Sequence, residues 1–100
     1  MNVSDDGKVI VLIPTPLRRF TGGEGRLTTA AGNIGELFDN LDTSYPGLGE
    51  RLRDDSGEIR RFVNVFVNGR NVREGEGLRT PLSAGDEVGI IPAMAGGAAH

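Results

Sequence analysis

An α+β fold, with one main helix packed on one face of a mixed sheet, is predicted by three observations. The chain opens with a β-branched run, a glycine-rich turn and a short returning strand. A single stretch with helical apolar spacing follows, and two further strand patterns, one of them strictly alternating, close the chain. At 100 residues the length suits one domain with one modest core. The expected division is a leader over 1–7, a folded domain over 8–92 and a tail over 93–100.

Lys8-Val9-Ile10-Val11-Leu12-Ile13 is apolar on both faces and is closed by Pro14 and Pro16, which cannot continue a central ladder. Leu17 to Phe20 leads into the turn Thr21-Gly22-Gly23-Glu24-Gly25, and Arg26-Leu27-Thr28-Thr29-Ala30 returns as the second arm of a hairpin. Asn33 followed by Glu36 is a helix start of the capping-box type. Ile34, Leu37, Phe38, Leu41 and Tyr45 then form one apolar stripe, ended by Tyr45-Pro46-Gly47. Leu48 to Arg53 reads as a further turn with Leu48 and Leu52 inward, before the loop Asp54-Asp55-Ser56-Gly57. From Phe62 to Asn68 the alternation sets Val63, Val65 and Val67 in the core and Phe62, Asn64, Phe66 and Asn68 on the other face. Asn68-Gly69 predicts a two-residue hairpin turn with Arg70 to Arg73 as partner strand. Leu78 to Leu82 crosses back, Ala84-Gly85-Asp86 turns, and Glu87 to Pro92 is the last strand. One helix between two strand pairs in so short a chain matches the ubiquitin-like β-grasp.

The reactive inventory excludes much chemistry. There is no cysteine, and the single histidine is His100, so disulfides, thiol nucleophiles, cysteine metal sites and Ser-His-Asp machinery are absent. No metal site is expected. A net charge of −3 argues against nucleic acid, and Arg18-Arg19 and Arg60-Arg61 read as solvated strand ends. No signal-peptide pattern and no run long enough for a bilayer is present, so a cytoplasmic protein without a membrane partner is expected; Asn2-Val3-Ser4 is then a chance sequon. Gly22-Gly23-Glu24-Gly25 and Gly75-Glu76-Gly77 lack the full dinucleotide fingerprint and read as loops. Asp5-Asp6 and Asp54-Asp55 are adjacent rather than facing, which does not make an acid/base pair.

What remains is the tail Ala93-Met94-Ala95-Gly96-Gly97-Ala98-Ala99-His100. A glycine pair just after a final strand suits a narrow groove, where a Cβ would clash. The chemistry would then belong to a main-chain carboxyl. Opposite the helix, Ile10, Leu12, Phe62, Phe66 and Ile91 form a candidate docking face, with Phe62 and Phe66 as its anchors and Met94 added from the tail. A partly covered second core and a self-associating face are the alternatives.

Several segments in order resemble the ThiS/MoaD family of ubiquitin-like sulfur carriers. They are Ile13 to Arg18, Phe20 to Gly23, Gly35-Glu36-Leu37, Tyr45 to Leu48, Arg61 to Gly69, Gly85 to Val88 and Ile91 to Gly97. Within the family the likeness is strongest to actinobacterial carriers that serve a cysteine synthase. The resemblance implies no enzyme activity in this chain. It implies an E1-like adenylating enzyme that activates the Gly97 carboxylate, and sulfide that converts the adenylate to a thiocarboxylate. Gly96 would keep the tail thin, and Ala93, Met94 and Ala95 would thread the enzyme's channel. It further implies a sulfur-accepting synthase, in one branch a PLP-dependent cysteine synthase, and a JAMM-type metalloprotease. ATP with Mg, PLP and zinc would be cofactors of those partners, and none is intrinsic to this chain. The departure is Ala98-Ala99-His100, which makes the Gly97 carbonyl an amide; it is either an extension cleaved between Gly97 and Ala98 or an added segment. A non-covalent ubiquitin-like module, a protein-conjugating modifier and, least favoured, an enzyme stand as rival readings.

Overall fold

The structure, a computed structural model, describes residues 8–92; the expected leader and tail, with Met94, Ala95, Gly96, Gly97 and Ala98, lie outside the described residues. Five strands form one sheet in the order β2-β1-β5-β3-β4: β1 (Lys8–Leu12), β2 (Arg26–Ala30), β3 (Val63–Val67), β4 (Arg70–Asn71) and β5 (Glu87–Pro92). The first and last strands lie side by side and parallel, and the other pairings are antiparallel, which makes the sheet mixed. Two helices, α1 (Ile34–Ser44) and α2 (Leu48–Leu52), accompany it.

Helix α1 starts where the capping signal places it. Asn33 is extended and its Oδ1 accepts the Glu36 backbone N–H at 2.8 Å, while the Glu36 carboxylate accepts the Gly32 N–H. The reciprocal bond reaches Gly32, one residue before the cap. The stripe Ile34, Leu37, Phe38 and Leu41 is buried against the inward valines and isoleucine of the sheet, Val9, Val11, Val63, Val65, Val88 and Ile90. Leu48 and Leu52 of α2 complete that core, as expected. Residues 80–82 run back along the start of α1, with Ile34 N–H on the Thr80 carbonyl and Leu82 N–H on the Gly32 carbonyl.

Four local expectations are corrected. The segment Thr15–Phe20 is a 3-10 helix with a proline in its first turn, rather than a plain lead into a turn; it buries Leu17 and lengthens the link between the hairpin arms. The strand ends at Leu12, one residue short of the expected run, although the Ile13 N–H still bonds the Gly25 carbonyl at 2.9 Å in register with the β1–β2 ladder. β4 is two residues long: the Asn71 side chain accepts the Arg73 N–H and turns Val72–Glu74 into a 3-10 helix, burying Val72. Val67, placed in the core by alternation, is only half-buried at the hairpin end of β3. The hairpin turn itself is as read, with Asn68 at φ 52° and Gly69 at φ 88°, the two left-handed residues that such a turn requires.

Candidate functional site

The outer face of the sheet is assembled by register. Leu12 pairs with Gly89 across the parallel β1–β5 ladder, and Gly89 pairs with Phe66 across the antiparallel β5–β3 ladder. The row therefore runs Leu12, Gly89, Phe66, a leucine and a phenylalanine with a notch between them. A Cβ at Gly89 would meet nothing within 4 Å, so the notch is open. Ile10 sits one pleat along from Leu12, and Ile91 one pleat along from Gly89. Ile10, Leu12 and Phe66 are half-buried, whereas Ile91 is 53% exposed. A shallow cavity of about 360 Å³ lies over this region, between Leu12, Gly89 and Ile91 and the Pro14–Arg18 segment.

Phe62 requires a correction. It precedes β3 in a turn closed by the Val63 N–H on the Arg60 carbonyl, so the outer-face alternation does not extend to it. At 57% exposure it is the most exposed large apolar side chain among the described residues. It lines a groove of about 350 Å³ with Leu17, Val63 and Pro92, rimmed by Glu50, Arg51 and Arg60. The groove matters because Pro92, paired with Val63, ends β5 where the tail begins. The turn is clamped from two sides. One Nη of Arg73 donates to the carbonyls of Arg60 and Val63 at 2.6 and 2.8 Å, and Arg60 reaches α2 through its N–H on the Leu52 carbonyl and its Nε on the Glu50 carbonyl.

The structure thus brings Ile10, Leu12, Phe66 and Ile91 onto one face and sets Phe62 beside the tail exit. Sequence reasoning missed the Gly89 notch, although a glycine inside a strand pattern is a signal of close approach. It also missed the role of Arg73, whose partners are backbone carbonyls that leave no mark in the sequence. Asp54 lies in a loop, as read, and its carboxylate also builds that loop, which the sequence did not show. Its carboxyl is held below the usual aspartate range by the Ser56 hydroxyl, with the Glu58 and Ser56 N–H groups and Arg60 adding to the effect against the cost of desolvation. The Arg18-Arg19 and Arg60-Arg61 pairs are exposed, but the first lies in the Thr15–Phe20 3-10 helix and the second in the turn before β3 rather than at strand ends. Among the described residues no group of three or more His, Cys, Asp or Glu could hold a metal ion, and no helix is long and apolar enough to cross a membrane. A larger cleft of about 500 Å³ lies at the hairpin end, lined by Val67, Arg70, Val72 and Thr80, whose buried hydroxyl has no hydrogen-bond partner among the described residues.

The comparisons agree with this architecture. The ThiS family model matches residues 11–97. The sulfur carrier protein CysO of Mycobacterium tuberculosis is 44% identical over 91 residues, covering 89% of this chain and 98% of that protein. Its crystal structure superposes with a TM-score of 0.82, over 86% of this chain and 99% of that one. The BexX/CysO complex of Amycolatopsis orientalis contains a chain with TM-score 0.83 and 36% identity, covering 86% of this chain and 96% of that one. Small archaeal modifier protein 3 of Haloferax volcanii is 42% identical over 64 residues, 64% of this chain and 68% of its own length. With the β-grasp core and these likenesses in place, the chain belongs to the ThiS family of ubiquitin-like sulfur carriers.

Proposed function

We propose that the chain carries sulfur on the carboxyl of Gly97 for the synthesis of cysteine or another sulfur-containing metabolite in the cytoplasm. The observation that carries this reading is the Val63–Pro92 pairing, which holds the last residue of the central strand at one end of the sheet, beside Phe62 and Ile91, five residues before Gly97. In the activating step the Gly97 carboxylate attacks the α-phosphate of ATP and pyrophosphate leaves. Sulfide then attacks the acyl carbon, AMP departs, and a thiocarboxylate remains. The activating E1-like enzyme would dock on Leu12, Phe66 and Ile91, while Met94 and Ala95 follow Pro92 into its channel and Gly96 passes the narrowest point. Where Ala98-Ala99-His100 follows Gly97, a JAMM-type metalloprotease would first expose the carboxylate. A PLP-dependent cysteine synthase is the sulfur acceptor that the CysO likeness favours. ATP with Mg, PLP and zinc serve in those partners.

A second reading, conjugation of Gly97 to lysines, is favoured by the likeness to an archaeal modifier protein. Both are tested on protein ending at Gly97, incubated with an E1-like adenylating enzyme, ATP and sulfide. The carrier reading expects intact mass to rise by the oxygen-to-sulfur difference. Isopeptide-linked products without that shift would establish the modifier reading, and neither product would leave a non-covalent module.

A further inference from the structure

We infer that Arg19, Arg51 and Arg60, gathered around the tail exit, dock against a carboxylate-bearing surface of the enzyme that receives the tail. The inference rests on the carrier reading and adds the chemistry of the partner's surface. The chain has a net charge of −3, yet Arg18, Arg19, Arg51, Arg60 and Arg61 are all exposed on the elements that frame this end. Arg51 and Arg60 line the groove with Pro92. Arg19 is tied to Arg51 through Phe20, whose ring centroid lies 5.1 Å from the Arg19 guanidinium carbon and 5.3 Å from that of Arg51.

Such a gathering repels itself unless a counter-charge is at hand. Among the described residues the one ion pair is Arg53–Asp39, which involves none of these five arginines. Glu50 is the lone carboxylate on the groove rim and is not within ion-pair distance of Arg51, whereas Arg60 has Asp54 and Asp55 beside it on its other side, so the cations left without a counter-charge are Arg19 and Arg51.

The cluster is also held in place, which lowers the entropy lost on docking. Phe20 is wedged over Gly47, where a Cβ would come within 3.3 Å of the ring, so the surface beneath Arg19 and Arg51 is fixed. The Nε of Arg60 is spent on the Glu50 carbonyl at 2.6 Å, which orients the rest of its guanidinium. Beside these cations the groove is apolar, with Leu17, Val63 and Phe62. Forked cations next to an apolar slot match a protein surface that offers Asp or Glu around a hydrophobic side chain. A nucleic acid would call for a longer basic track than this one end provides.

The test measures pyrophosphate release by the adenylating enzyme against concentration of carrier ending at Gly97, at about 50 mM and about 500 mM salt. Arg19→Glu combined with Arg51→Glu should raise KM about ten- to a hundredfold at low salt, leave kcat unchanged, flatten the salt dependence and not lower the melting temperature. Arg70→Glu, which makes half that charge change at the far end of β3, should behave as wild type, and Arg51→Glu alone matches its charge change and should still raise KM. Wild-type KM and salt dependence in the double variant would overturn the inference while leaving the carrier reading intact. So would equal effects of Arg51→Glu and Arg70→Glu, or tight binding of an oligonucleotide that Arg51→Glu abolishes. No pyrophosphate release with any variant would overturn the carrier reading itself, and the inference with it.

Discussion

Replacing Gly89 with valine should stabilise the domain and, on the proposed reading, block docking on its outer face at once. Gly89 lies on the central strand β5, opposite Leu12 on one side and Phe66 on the other, and a Cβ there meets no atom within 4 Å. Its φ is not in the left-handed region, so a side chain imposes no backbone strain. A glycine inside a strand costs about 0.5–1 kcal/mol relative to alanine through backbone entropy. A β-branched side chain between neighbours about 4.8 Å away adds contact with Leu12 and Phe66. A gain of about 1 kcal/mol raises the melting temperature of a domain this size by about 4–8 °C. The same isopropyl group fills the notch that a partner's side chain would enter, and an overpacked contact costs about 1–3 kcal/mol, or about five- to 150-fold in affinity. Thermal unfolding followed by circular dichroism, together with KM for tail adenylation, reads both effects. A variant that melts lower than wild type would show the notch to be filled by the fold itself. One that melts higher with unchanged KM would move docking off this face altogether.

Two further outcomes follow from the packing. Gly49→Ala sets a Cβ 2.6 Å from the Asp42 carboxylate that accepts the Gly49 N–H, and should cost about 1–3 kcal/mol in urea unfolding because α2 is pressed against α1 there; a loss below about 0.5 kcal/mol would show that α2 moves freely. Asp54 has a lowered folded pKa, so its contribution to stability is complete above the unfolded aspartate value and is lost as pH falls through the folded one. Asp54→Asn should therefore lower the urea midpoint slightly at about pH 7 and flatten its decline below about pH 4, and an unchanged acid profile would contradict the assignment.

The elements most legible in the sequence were those whose signals are local. The Asn33 cap, the Ile34–Leu41 stripe and the Asn68-Gly69 turn are each written in a few adjacent residues, and the fold follows them. Val67 and the short β4 were misjudged because the limits of a strand are set by competing bonds. Asn71 offers its side chain to Arg73 instead of prolonging the ladder. Phe62 continues the alternation of β3 on paper, but the Arg60–Val63 turn bond and the Arg73 clamp break the strand before it. The outer face was half legible: alternation named Ile10, Leu12, Phe66 and Ile91, while the notch needs the register that aligns Leu12, Gly89 and Phe66. Arg19, Arg51 and Arg60 were not legible as a group, because residues 41 positions apart are joined only when Phe20, α2 and the turn before β3 meet.

If an enzyme activates the chain as proposed, chain length makes the tail exit a contact that it could not avoid. From Pro92 to Gly97 there are five residues, which span at most about 18 Å fully extended. A channel that buries three or four of them leaves only about 4–7 Å between its mouth and the end of β5. At that distance the mouth would lie against the groove that Phe62, Arg51 and Arg60 share with Pro92, whereas the row Leu12, Gly89 and Phe66 would be reached only by an enzyme whose surface also folds over the sheet. On the proposed reading the two surfaces would divide the labour: the exit would set whether a tail is admitted, and the outer face which larger partner admits it. A domain with no cysteine and no internal histidine can leave the chemistry to others on those terms, because the selectivity it must supply lies in the approach to one carboxyl group.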